Sequence, residues 1–132
     1  MAPSLKKILL GVSGGIAAYK AVEVLRGLQK KGADVRVAMT SSATRFVQPL
    51  TFEALSHHPV HTSLFPESGD PQVLHVELAG WPDAVVVAPA TADLLGKAAN
   101  GLGDDLLSCV LMATDAPVLM APAMETQMYT NP

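Results

Sequence analysis

Apolar and polar positions along this chain switch between two periods. "KKILLGV" is a short leucine, isoleucine and valine run that stops at a glycine-rich turn, as a strand does. "IAAYKAVEVLRGLQKKG" follows it, with Ala18, Val22, Leu25 and Leu28 on one helical stripe. Gly32 stands where a helix C′ glycine is expected, and "DVRVAMT" then alternates as a second strand. A shorter helical stretch is predicted after Ser41 and Ser42. "AVVVAPA" and "APVLMAPA" are continuous apolar runs of the kind buried on both faces of a parallel sheet. Between them, "TADLLGKAANGLGDDLLSCVLMAT" reads as two helical pieces broken at "NGLG". "SHHPVHTSLFPESGDPQ" reads as a loop with one short strand. Strand and helix recur in order, which predicts an open parallel α/β sheet of Rossmann or flavodoxin type, flanked by helices in three layers.

Composition narrows the class. The 132 residues are 49% hydrophobic and 16% charged, enough for one domain, 1–132, with a real core. No apolar run reaches the roughly 18 residues that span a bilayer, and "MAPSLKKILLGVSGG" lacks the apolar core and cleavage site of a signal peptide. The expectation is a cytoplasmic protein with no membrane partner. One cysteine, Cys109, excludes an intrachain disulfide framework and a four-cysteine zinc site. A net charge of −3 leaves no basic footprint for nucleic acid.

In such a sheet, ligands bind beyond the carboxyl ends of the strands. Four segments should meet there: "GVSGGIAAYK", "TSSATRF", "APATADLLGK" and "APAMETQMY". Each joins a strand end to a helix start, where free backbone N–H groups favour an anion. "GVSGG" is neither the G-x-G-x-x-G dinucleotide fingerprint nor a Walker loop, since no G-K-[ST] follows. Gly14 and Gly15 would let the backbone approach a ligand, with Ser13 offering a hydroxyl; the same residues equally fit an ordinary glycine-rich turn.

The remaining chemistry-bearing residues have structural readings. Cys109 lies in an apolar helix as a packed, inert thiol, and Met112, Met120, Met124 and Met128 read as core and interface packing. Asp104 and Asp105 suit the first turn of a helix. Trp81 stands at a strand entrance, where packing at a subunit contact is one reading. His57, His58 and His61 lack an acidic or cysteine partner at motif spacing, so no metal site is expected.

In order and spacing, "LGVSGGIAAYK", "GADVRVAMTSSATRFV", "HVELAGWPDAVVVAPATADLLGKAANGLGDDLL" and "PAMETQMY" resemble the flavin-dependent cysteine decarboxylases. Within them the likeness is to the branch acting on phosphopantothenoylcysteine, the amino-terminal half of a bifunctional bacterial coenzyme A biosynthesis protein. The resemblance implies a flavodoxin-like fold that binds FMN and assembles into trimers, or a trimer-based dodecamer, with active sites at subunit contacts. By that resemblance Ser13, Gly14, Gly15, Ile16, Thr40, Ser41, Ser42 and Phe46 would contact the flavin, and Thr91, Ala92 and Asp93 would hold its phosphate or ring. Asp93 is expected to turn its carboxylate toward backbone N–H groups or a part of the cofactor other than the phosphate. His75 of "HVEL" matches the family's active-site histidine and would accept a proton as the substrate cysteine is oxidised; Ala123, Met124 and Glu125 would face the substrate. The implied activity is that of a carboxy-lyase, giving 4'-phosphopantetheine from 4'-phosphopantothenoylcysteine.

Two departures accompany the likeness. The family's substrate signature reads P-x-M-N-x-x-M, and here Pro122, Met124 and Met128 surround Glu125 in place of asparagine. A glutamate offers a substrate carboxylate no donor unless protonated. The family's reducing step also uses a cysteine downstream of this motif, and the expectation is that Cys109 does not replace it. A flavin-binding or regulatory homologue without decarboxylase activity fits the same loops. A flavin enzyme of other chemistry, such as a prenyltransferase, fits "SGGIAAYK" and "PATADLLGKAANGL" less well.

Overall fold

The computed structural model describes residues 6–65 and 71–132. Four parallel strands form one sheet in the order β2-β1-β3-β4, with β1 at Lys7–Val12, β2 at Asp34–Met39, β3 at Ala84–Ala90 and β4 at Val118–Pro122. The predicted flavodoxin-like class is therefore observed. The register sets Leu10 of β1 between Val37 of β2 and Val86 of β3.

Side chains alternate across a strand, so the run "ILLGV" serves two cores at once. Leu10 and Val12 pack with Val35, Val37 and Met39 of β2 on one face, beneath Ala21 and Leu25 of α1 (Lys20–Lys30) and Phe52 of α2 (Pro49–Ser56). Leu9 packs on the other face with Val85 and Val87 of β3. That face is covered by Leu78 of α3 (Pro71–Gly80), Leu94 of α4 (Ala92–Asn100), and Leu106, Leu107 and Val110 of α5 (Leu106–Ala113). Two helical layers and the sheet make the expected three.

The first predicted helix begins as a 3₁₀ turn over Ile16–Tyr19 before α1, and Gly32 ends α1 at φ +90°, a conformation L side chains rarely adopt. The two helical pieces around "NGLG" are α4 and α5. Asp105 caps α5 by accepting from the Ser108 N–H at 2.7 Å, while the Asp105 N–H donates to Ser108 Oγ at 3.2 Å. The carboxylates "DD" thus sit at the helix start, as read.

Of the segment read as a loop, residues 66–70 lie outside the described residues and Pro71 and Gln72 instead begin α3; the histidines at its start take part in local structure. His57 closes α2 in the left-handed conformation at φ 62°, and His58 Nε2 meets Asp34 Oδ1 at 2.7 Å. His61 is the expected short strand, an isolated parallel bridge to Ala38; its carbonyl accepts from the Met39 N–H at 2.9 Å. Burial, and secondarily the nearby Arg36 charge, push the His61 imidazole below its ordinary pKa. Arg36 itself lies 4.4 Å over the Trp81 ring, giving that tryptophan a partner within its own chain.

One strand departs from expectation. β4 matches β3 in apolar character but is not buried on both faces: it ends the sheet among the described residues, with Val118 39% and Leu119 66% exposed. Composition sets what a strand can pack against, and position in the sheet sets whether anything is there. A short α6 (Thr126–Tyr129) follows. Among the described residues, no helix is long and apolar enough to cross a membrane.

Candidate functional site

The carboxyl ends of β1, β3 and β4 open onto one cavity of about 760 Å³. Gly14, Gly15, Ile16 and Ala17 form its first wall, and Ser42 comes from the turn after β2. Pro89, Thr91, Ala92 and Asp93 line it from the end of β3 and the start of α4; Ala123, Met124, Glu125 and Met128 complete it after β4. All four segments singled out in the sequence converge here.

Close backbone approach explains the first turn. A Cβ on Gly14 would lie 2.7 Å from the carbonyl carbon of Ser42, so only glycine lets the two turns meet this way. Ser13 performs a different task from the one expected. It is buried and absent from the cavity wall; its hydroxyl donates to the Pro89 carbonyl and accepts from the Thr91 N–H at 3.0 Å. Through these two bonds Ser13 pins the β1 turn to the β3 turn.

The turn after β2 is divided. Ser42 faces the cavity, with its Oγ 3.3 Å from Thr40 Oγ1, and Thr40 Oγ1 also accepts from the N–H of Ala43, the first residue of the following 3₁₀ turn, at 3.2 Å. Thr40 and Ser41 line a neighbouring hollow of about 200 Å³ with Thr62, Leu64 and Asp105. Phe46 is 54% exposed and lies outside that cavity wall.

At α4, Thr91 is the N-cap and accepts from the Leu94 N–H at 3.3 Å, leaving the first N–H groups of the helix directed at the cavity end. Of the two orientations expected for the Asp93 carboxylate, a bond to backbone N–H groups is not seen among the described residues. The carboxylate pairs with Lys97 Nζ at 3.2 Å, one turn along the helix. Lys97 also meets Asp104 at 3.1 Å and Asp105 at 3.4 Å. The hydrogen bond to Asp104 above all raises the Lys97 pKa well above the usual lysine range, against a smaller opposing effect of burial. Burial opposes ionisation of Asp105, but Ser108 and Lys97 together outweigh it and hold its carboxyl below the usual range.

Glu125 occupies the N-cap position of α6, where its backbone carbonyl accepts from Met128 and Tyr129 while its carboxylate makes no capping bond. The carboxylate is exposed at the cavity wall. Among the described residues, Asp93 and Glu125 are the only charged side chains on that wall.

His75 is not brought to this cavity. It lies on α3, in a shallower groove of about 300 Å³ shared with Gly103, Cys109, Met112 and Ala113. Its Nδ1 is buried and has no hydrogen-bond partner among the described residues. Cys109 donates its thiol to the Gly103 carbonyl at 3.2 Å, and burial, reinforced by Asp105 and Asp104, raises its pKa, so the thiol is a poor nucleophile as read. Met112 and Met128 are 60% and 53% exposed and are not core residues of this chain. Sequence reasoning did not single out Ala17, Pro89 or Lys97; the four-residue spacing from Asp93 to Lys97 was the legible signal for the last.

Comparison with known proteins follows this geometry. The chain is 52% identical over 126 residues to the coenzyme A biosynthesis bifunctional protein CoaBC of Vibrio vulnificus, covering 96% of this chain and 31% of the relative. The CoaBC of Bacillus subtilis is 51% identical over 127 residues, with 96% and 31% covered. The chain thus spans about a third of the length of these relatives. Among solved structures, the FMN-dependent cysteine decarboxylase TvaF from thioviridamide biosynthesis superposes with a TM-score of 0.90 at 33% identity, covering 98% of this chain and 80% of that one. A PPC decarboxylase mutant, C175S, complexed with pantothenoylaminoethenethiol, gives 0.81 at 37%, with 98% and 72% covered. The model of the family described as Flavoprotein matches residues 2–132, and the chain belongs to that family.

Proposed function

We propose that residues 1–132 act as one flavoprotein domain that binds FMN and decarboxylates 4'-phosphopantothenoylcysteine to 4'-phosphopantetheine in coenzyme A biosynthesis. The observation that carries the reading is the cavity where the four turns meet beside the start of α4. Its volume lies within the roughly 300–1,000 Å³ of small-molecule sites. Its wall combines apolar surface from Ile16, Ala17 and Met124 with the N–H groups of a helix start, which suits a ring joined to a phosphate. The glycine contact at Ser42 brings the backbone close enough to hold such a group. Gly14, Gly15, Ser42, Thr91 and Ala92 would hold the cofactor, and Ala123, Met124 and Glu125 would face the substrate. Bound FMN would supply a two-electron sink that takes up electrons as the substrate cysteine is oxidised and returns them after carbon dioxide is lost, so that the net conversion to 4'-phosphopantetheine is redox-neutral.

His75 would take up a proton as the substrate cysteine is oxidised. The His75 groove shares no lining residue with the flavin cavity. That separation supports an active site completed between subunits, in a homotrimer or a trimer-based dodecamer, and we place the protein in the cytoplasm. Oligomer formation would also cover the exposed Ile16, Tyr19 and Leu50.

A second reading, flavin binding without decarboxylation, is favoured by one observation: among the described residues the cavity wall carries two carboxylates and no cation. A substrate carboxylate beside Glu125 would be repelled. One experiment separates the two. The purified chain and its Glu125→Asn and His75→Asn variants are given phosphopantothenoylcysteine, and carbon dioxide, product mass and flavin absorption are recorded. Decarboxylation by the unaltered chain, lost at least 100-fold in His75→Asn with flavin retained, supports the first reading. Flavin binding without carbon dioxide, gained on Glu125→Asn, supports the second. Absence of a bound-flavin spectrum overturns both.

A further inference from the structure

FMN carries a phosphate dianion, yet the charged side chains on the proposed cofactor wall are Asp93 and Glu125. Free carboxylates there oppose an anionic ligand. Asp93 is not free: Lys97 Nζ sits 3.2 Å from its Oδ2. The lysine is fixed from a second side by Asp104 at 3.1 Å and Asp105 at 3.4 Å, and its side chain is only 19% exposed. Asp105 is immobile in turn, because its other oxygen caps α5 through the Ser108 N–H at 2.7 Å. The start of one helix therefore holds the cation that meets a carboxylate at the start of another.

We propose that Lys97 is a positioning residue that sets the charge of the cofactor cavity, holding the Asp93 carboxylate so that the cavity accepts FMN in preference to riboflavin. The proposal rests on the FMN reading above. An exposed ion pair of this kind contributes little to folding, because water screens it, and Asp93 is 75% exposed. A cofactor entering the cavity displaces that water. The same pair then acts with less screening, so removing the cation penalises a phosphate-bearing flavin much more than one without phosphate.

The test titrates the full chain with FMN and, separately, with riboflavin, following quenching of flavin fluorescence. Lys97→Met is expected to weaken FMN about tenfold and riboflavin less than about threefold. Adding Asp93→Asn to Lys97→Met should restore most of the FMN affinity, and Lys97→Arg should keep the FMN-to-riboflavin ratio within about threefold. Equal loss of both flavins in Lys97→Met, or no recovery in the double variant, overturns the proposal. If Lys97→Met does not fold, Asp93→Asn alone decides: the ratio should hold or rise, and a fall overturns it. An unaltered chain that binds neither flavin overturns the FMN reading and this inference together. One that binds both while Lys97→Met loses them equally overturns only the inference.

Discussion

The cavity at the strand ends and the groove beside His75 are made of different material. Backbone contacts fix the floor of the first, beneath an outer wall that includes Met124, Glu125 and Met128: two turns touch at Gly14 and Ser42, and the buried Ser13 hydroxyl ties a third turn to the first across 76 positions of sequence. Side chains build the second, from α3, α5 and the turn at Gly103, with the half-exposed Met112 on its rim. A backbone-built site has its shape before any ligand arrives, whereas a groove edged by flexible side chains takes its shape from what enters it. The difference suits the roles proposed above, a cofactor site that would stay loaded and a proton-transfer site that would meet substrate transiently.

The sharpest way to break that contrast is a single methyl group at Gly14. Its Cβ would stand 2.7 Å from the Ser42 carbonyl carbon, and backbone cannot rotate away as a side chain can. Gly14→Ala is expected to destabilise the chain by about 3 kcal/mol, at the upper end of overpacking effects, and to reduce FMN affinity at least 100-fold. Chemical denaturation and flavin titration measure the two. A stable Gly14→Ala chain that still binds FMN would mean the turns are softer than their contact implies.

A smaller effect is expected one residue earlier. Ser13→Ala removes the hydrogen bond to the Pro89 carbonyl and leaves the Thr91 N–H without its acceptor. Loss of such a part-buried bond costs about 1–2 kcal/mol, and the start of α4 should loosen with it. Hydrogen exchange at Thr91 and Ala92 would rise in Ser13→Ala, while exchange in α3 should not change. Equal changes in both places would erase the distinction between the two sites.

What the sequence made legible follows the same division. Strands β1, β2 and β3 and helices α1, α2, α4 and α5 are readable because alternation and the 3.6-residue stripe record burial directly, as at Leu9, Leu10 and Leu25, whereas α3 is not read as a helix. β4 was misread because "APVLMAPA" states what the strand prefers to touch and says nothing of its place at the end of the sheet. At the site, the four turns were found from their position after strands, but the occupation of each side chain was not. Ser13 and Thr91 are adjacent only after β1 and β3 pair, and Asp104 reaches Lys97 only after the "NGLG" break returns the chain. His75 was identified by resemblance, and nothing in its neighbours along the chain says which face of the sheet its helix covers.

Gly103→Ala makes the gentlest test, because it repeats the Gly14 substitution in the side-chain-built groove. The new Cβ would lie 2.9 Å from Met112 Sδ and 3.3 Å from Cys109 Sγ, with the nearest backbone atom, Cys109 Cα, at 3.8 Å. Met112 is 60% exposed and unbranched, so its thioether can swing outward at little cost. Stability should therefore change by no more than about 0.5 kcal/mol, within the ordinary range of surface substitutions. The methyl group and the displaced Met112 would nonetheless narrow the groove beside His75. Decarboxylation is expected to fall several-fold with flavin affinity unchanged. If Gly103→Ala instead destabilised the chain as much as Gly14→Ala, the groove would be as rigid as the cavity, and its plasticity could not explain how His75 meets a passing substrate.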